Sequence, residues 1–117
     1  MGRLTTHILD TARCKPAAGL KIELFYINGD TEQHLISAIT NDDGRCDSPL
    51  LEGDAFRTGR YKLVFYCADY LRAAGDELPE IPFLEDVIIA FGIDNQTQHY
   101  HVPLLLSAYG YSTYRGS

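Results

Sequence analysis

Leu20-Lys21-Ile22-Glu23-Leu24-Phe25-Tyr26-Ile27-Asn28-Gly29 decides the fold class. Leu20, Ile22, Leu24 and Tyr26 fall on one face of an extended chain, a period of two. Asn28-Gly29 ends the run with the strongest short hairpin signal of the chain, since a type I′ turn needs two residues tolerant of positive φ. Gln33 to Thr40 returns as the partner strand. The same period recurs from Leu4 to Leu9 and from Gly59 to Cys67, where Tyr61, Leu63 and Phe65 share a face. It recurs again from Val87 to Phe91 and from Gln98 to Leu106, with a terminal strand after Ala108. Asn41-Asp42-Asp43-Gly44 is a second turn, Pro49 to Gly59 is irregular, and Pro79 and Pro82 interrupt the chain. Asp69 to Gly75 is the one helical stretch, about two turns long, with Gly75 as its stop. Short strands at this spacing predict an all-β, antiparallel sandwich of about eight strands in two sheets, with one short helix.

The 117 residues are enough for one domain with its own core, and residues 1–117 are expected to form it. Hydrophobic residues make up 45%, which favours a folded chain. A net charge of -6 argues against bulk attraction to nucleic acid or to an anionic membrane. No apolar run approaches the ~20 residues of a membrane span. Cys14, Cys46 and Cys67 are odd in number and lack CxxC spacing, which points to reduced thiols rather than a disulfide framework. No basic start with an apolar run behind it is visible, so the cytoplasm is expected; a removed export signal would make it the periplasm.

Four histidines carry the candidate chemistry: His7, His34, His99 and His101. His7 lies mid-strand between Thr6 and Ile8. His99 and His101 are two apart and share a strand face, a spacing that holds a metal when a third ligand comes close. His34, between Gln33 and Leu35, reads as a surface residue. Arg45 leaves the Asp42-Asp43-Gly44 turn, where a planar donor fork is aimed at a carbonyl or carboxylate or pairs with a neighbouring aspartate. Tyr111-Ser112-Thr113-Tyr114-Arg115-Gly116-Ser117 is dense in hydroxyls and carries a guanidinium, unlike a dull, frayed end. A nucleophile elbow, a P-loop and a dinucleotide fingerprint are all absent.

Several stretches together resemble the transthyretin-like family of 5-hydroxyisourate hydrolases. They are Leu4-Thr5-Thr6-His7-Ile8-Leu9-Asp10, Lys15-Pro16-Ala17, Asp43-Gly44-Arg45, the run from Tyr100 to Ser107, and Tyr111 to Ser117. The resemblance runs the length of the chain, and the final block is its most specific part. Ala108 departs from it, since many members carry proline or a polar residue there. The resemblance implies two four-stranded antiparallel sheets with a short helix. It also implies a homotetramer, a dimer of dimers, with sites in the channel between dimers where the terminal tetrapeptide reaches. It implies His7, Arg45 and His101 as the catalytic core, with Tyr114, Arg115, Gly116 and Ser117 closing the substrate pocket, and no metal or organic cofactor. The substrate implied is 5-hydroxyisourate, and one of the two histidines is the general base. The competing function on the same fold is a transthyretin-type carrier of small aromatic ligands. His7, Arg45, His101 and Tyr114 at the channel positions favour the hydrolase.

Overall fold

The computed structural model describes residues 2–116. Its strands are β1 (Arg3–Asp10), β2 (Lys15–Pro16), β3 (Lys21–Asn28), β4 (Thr31–Ile39), β5 (Leu51–Glu52), β6 (Gly59–Phe65), β7 (Val87–Ile93), β8 (Tyr100–Ser107) and β9 (Gly110–Thr113), with a helix α1 (Cys67–Ala73). One sheet has the order β2-β1-β8-β9, with β5 also paired to β1; the other has the order β4-β3-β6-β7. The first sheet therefore has five strands rather than four, because two-residue strands add to β1 at both ends.

The predicted apolar faces meet between the sheets. Leu4 and Ile8 of β1, Ile22 and Leu24 of β3, Tyr61, Leu63 and Phe65 of β6, and Leu104 and Leu106 of β8 are buried together. Each such side chain stabilises the fold by about 1.5–3 kcal/mol. Burial also pushes the Cys67 thiol up to about 12, so it behaves as a packed apolar group.

Three local readings shift. The first hairpin pairs Asn28 with Thr31 and turns on Gly29 and Asp30, with positive φ at Gly29 and not at Asn28. This is one residue later than a type I′ turn on Asn28-Gly29, and a positive first central residue matches type II′. The helix begins at Cys67 rather than Asp69, because Cys67, Ala68, Tyr70 and Leu71 make one buried helical stripe. Finally, β1 and β8 pair in parallel, while the other strand pairs are antiparallel. Those two strands lie at opposite ends of the chain, so no hairpin dictates their direction.

The helix pins the far end of β1. The Tyr70 hydroxyl donates to Asp10 Oδ2 at 2.8 Å, and Arg13 Nη1 donates to the same oxygen at 2.9 Å. Arg13 Nη2 reaches Asp76 at 2.6 Å. Burial alone would raise the Asp10 pKa, but these hydrogen bonds outweigh it and hold the carboxyl below its ordinary range. The Tyr70 hydroxyl is pushed up to about 12 by burial and by the same bond.

The turn before Arg45 is fixed just as tightly. Gly44 has φ 74°, and a Cβ there would sit 2.4 Å from the Ile8 carbonyl oxygen. The Gly44 carbonyl in turn accepts from Ile8 N at 2.9 Å. Gly44→Ala is expected to cost about 1–3 kcal/mol from the backbone conformation alone. Denaturant melts will read this, and an alanine variant as stable as the parent would contradict it.

Candidate active site

Alternation along β1 sends Leu4, Thr6 and Ile8 into the core and Arg3, Thr5 and His7 to the outer face. On β8, Tyr100, Val102, Leu104 and Leu106 face inward, which leaves His101 outside. The parallel register sets Thr5 opposite His101 and His7 opposite Pro103. A buried Thr6 hydroxyl donates to the Val102 carbonyl at 2.7 Å and ties the two strands at this level.

Arg45 enters from the turn. Asn41 Oδ1 accepts from Asp43 N at 2.9 Å and from Arg45 N at 3.2 Å. The backbones of His7 and Arg45 form an isolated antiparallel bridge. An open cleft of about 320 Å³ lies beside them, lined by Arg3, Thr5, Arg45, Cys46, His99 and His101 among others. Both catalytic-candidate imidazoles feel the guanidinium. The His7 pKa is lowered by burial and then by Arg45, against a hydrogen bond to the Asp43 backbone that favours the protonated ring. The His101 pKa is lowered by burial, then by Arg45, His99 and His7.

The chain end approaches the same histidine. Gly116 N donates to the His101 carbonyl at 2.7 Å. A Cβ on Gly116 would fall 2.7 Å from the imidazole Cδ2, so a glycine is required for this approach. Tyr114, just past the end of β9, is exposed. Arg115 goes elsewhere. Its guanidinium lies 3.9 Å from the Tyr100 ring centroid and donates to Gln98 Oε1 at 3.1 Å and to the His99 carbonyl at 3.2 Å. It anchors the terminal segment to the strand rather than facing the cleft. Ser117 lies outside the described residues.

The expected set omits Thr5 and His99, which the structure places beside His101. The Thr5 hydroxyl lies 2.8 Å from His101 Nδ1 and 3.0 Å from His99 Nε2. Arg3 Nε donates to His99 Nδ1 at 3.3 Å. Alternation marks Thr5 with His7 and His99 with His101; the parallel register that joins the pairs leaves no local trace.

Among the described residues, no group of three or more His, Cys, Asp or Glu is placed to hold a metal. His34, Ser37 and Glu23 have the composition of a triad on the other sheet. There, His34 Nε2 faces both Ser37 Oγ and the Glu23 carboxylate, each at 2.9 Å. A proton relay needs opposite ring nitrogens, so this is an ordinary surface cluster.

The chain belongs to the HIUase/transthyretin family, whose sequence model matches residues 4–116. It is 61% identical over 117 residues to 5-hydroxyisourate hydrolase 2 of Rhizobium meliloti, covering 99% of this chain and 97% of that one. It is 55% identical to the 5-hydroxyisourate hydrolase of Pseudomonas aeruginosa, covering 100% of this chain and 93% of that one. Among solved structures, the Klebsiella pneumoniae 5-hydroxyisourate hydrolase superposes with a TM-score of 0.83 at 32% identity, covering 100% of both chains. Sea bream transthyretin, solved with thyroxine, superposes at 0.87 with 24% identity, covering 97% of this chain and 94% of that one, and shares the fold.

The lowered pKa values give a signed expectation. Both imidazoles should titrate below the ordinary 6.5, and a neutral residue at Arg45 should move both midpoints up. Because the folded values are depressed, the unfolded chain binds protons first as pH falls below 6.5. Stability present above that pH is therefore lost as pH drops through the folded values. NMR titration of the histidine ring protons measures this, and midpoints at or above 6.5 would contradict the burial argument.

Proposed function

We propose that this chain hydrolyses 5-hydroxyisourate, opening the ring at a carbonyl to give 2-oxo-4-hydroxy-4-carboxy-5-ureidoimidazoline in urate breakdown. The observation that carries this reading is the convergence of two imidazoles and one guanidinium at a single sheet face, where burial and then Arg45 lower both histidine pKa values. Relatives at 61% and 55% identity over nearly their whole length bear that activity in their names.

The chemistry needs an activated water, a donor for the developing oxyanion and recognition of a flat, hydrogen-bonding heterocycle. A neutral imidazole accepts a proton from water while the water oxygen bonds to the carbonyl carbon. The ring C–N bond then breaks, and the proton passes to the departing nitrogen. Arg45 presents a charged fork to the oxygen that gains charge. Gly116 lies against the His101 ring, and Arg115 holds the segment that carries it and Tyr114. A carrier of apolar ligands has little use for two neutral imidazoles and a guanidinium on its ligand-facing wall.

The working form is a homotetramer, a dimer of dimers, with substrate bound between dimers. Ile39, Ile81, Phe83, Ile88, Tyr109 and Tyr114 are exposed on the isolated chain, an amount of apolar surface that assembly would cover. Light scattering should return the mass of four chains of 13.1 kDa; a monomer across the working concentration range would refute the assembly. Three unpaired thiols suit a reducing compartment, and the cytoplasm is where we place the activity.

Ultraviolet-monitored decay of 5-hydroxyisourate, made in situ by urate oxidase and followed with a chelator present, tests the function. The intact protein should accelerate decay. Arg45→Ala should lower the rate by about two to three orders of magnitude, the range for losing an oxyanion donor. A folded, assembled Arg45→Ala protein with full activity would remove that role, and no acceleration by the intact protein would remove the hydrolase.

A further inference from the structure

We propose that Arg3, His99 and Thr5 form a hydrogen-bond relay that fixes the tautomer of His101, so that its Nε2 carries the proton and faces the cleft as a donor. The inference rests on the hydrolase reading for its catalytic meaning and on donor inventory for its structure.

The chain of bonds allows one direction. Arg3 Nε is a donor and has no lone pair to offer, so His99 Nδ1 must accept at 3.3 Å. A neutral His99 then bears its proton on Nε2, which donates to Thr5 Oγ1 at 3.0 Å. Thr5 has a single hydroxyl proton, and with one lone pair already engaged it donates that proton to His101 Nδ1 at 2.8 Å. His101 Nδ1 is thereby an acceptor. The neutral ring has its one proton on the opposite nitrogen, Nε2.

The consequence divides the two histidines. His101 has no free lone pair toward the cleft and offers an N–H to an oxygen that gains negative charge. His7 lies outside this chain of bonds, two residues along β1 from Thr5 on the same outer face. The relay thus leaves His7 as the imidazole whose tautomer it does not fix, and in the hydrolase reading His7 takes the proton of water and returns it to the departing ring nitrogen. His101 and Arg45 stabilise the oxyanion and exchange no proton with the substrate. Thr5 and His99 stand in the cleft wall but exchange no proton with water or substrate in this scheme. They are positioning residues, as the aspartate of a serine-protease triad positions its histidine.

Thr5→Val keeps the shape of the side chain and removes the bridge; Thr5→Ser restores it. His99→Phe removes the upstream donor. The experiment is side-chain 15N NMR of the full assembled protein without ligand, paired with kcat and KM for 5-hydroxyisourate. The intact protein should show His101 with a protonated Nε2 and an unprotonated Nδ1. Thr5→Val and His99→Phe should give a mixture of tautomers, with kcat lower by roughly a hundredfold, the low end for losing an oxyanion donor, and KM little changed. Thr5→Ser should recover both signals. A proton on His101 Nδ1 in the intact protein overturns the relay, as does a Thr5→Val protein with unaltered tautomer and kcat. An Nε2–H tautomer that collapses in Thr5→Val supports the relay even where the intact protein turns over no hydroxyisourate; that outcome sinks the hydrolase reading instead.

Discussion

The parallel pairing of β1 with β8 is the constraint on which the site depends. It sets Thr5 opposite His101 and His7 one step further along, opposite Pro103. A slip of one residue would turn the imidazoles into the core and the apolar side chains to the cleft, because side chains alternate with period two. Leu4, Thr6 and Ile8 on β1 and Tyr100, Val102, Leu104 and Leu106 on β8 guard that register, and the Thr6 hydroxyl on the Val102 carbonyl adds a bond inside it. Pro103 sits within a strand that has neighbours on both sides and lacks an N–H to give. The Thr113 hydroxyl bonds its carbonyl at 2.7 Å and ties the terminal strand to β8 at this point.

Charge is the second organising element. Arg45 stands where the two imidazoles both sense it, and partial burial removes the water that would screen it. Two histidines held neutral near one permanent cation make a surface that attracts electron-rich oxygen while keeping a base available. The protein as a whole is acidic at -6, so this local field runs against its overall charge. Net charge reports solubility and bulk partners and leaves clefts unread.

Much of this was legible before the structure. The two-residue periodicity around Ile22, Leu24, Leu63 and Phe65 reports burial directly, and those residues are the core. Gly44 announces a turn, and the turn does deliver Arg45 beside His7. The hairpin at Gly29 and the start of the helix were displaced by one or two residues. In the first, tertiary pairing chose the turn type; in the second, Tyr66 offers no side-chain cap to mark the boundary. The parallel pair was illegible, because strands joined through the whole length of the chain carry no local sign of their direction. Thr5 and His99 were missed for the same reason: their meaning lies in a contact across that pair. Arg115 shows the reverse failure, a residue whose chemistry suits a pocket and whose guanidinium lies instead over the Tyr100 ring.

Tyr100 has a consequence for how change at this site is tolerated. Its ring packs near Phe56, its hydroxyl accepts from Asp94 N at 2.9 Å and Asn95 N at 3.2 Å, and Arg115 covers its face. One core side chain thus joins the loop before β8, the strand that bears His101 and the segment that carries Gly116. Genetic drift at the interior position 100 would be felt on the opposite face of the sheet, as a loosened chain end beside an intact imidazole. A survey of variants scored by function would rank this tyrosine with the reacting groups, although it lies on the wrong side of the strand to meet any substrate.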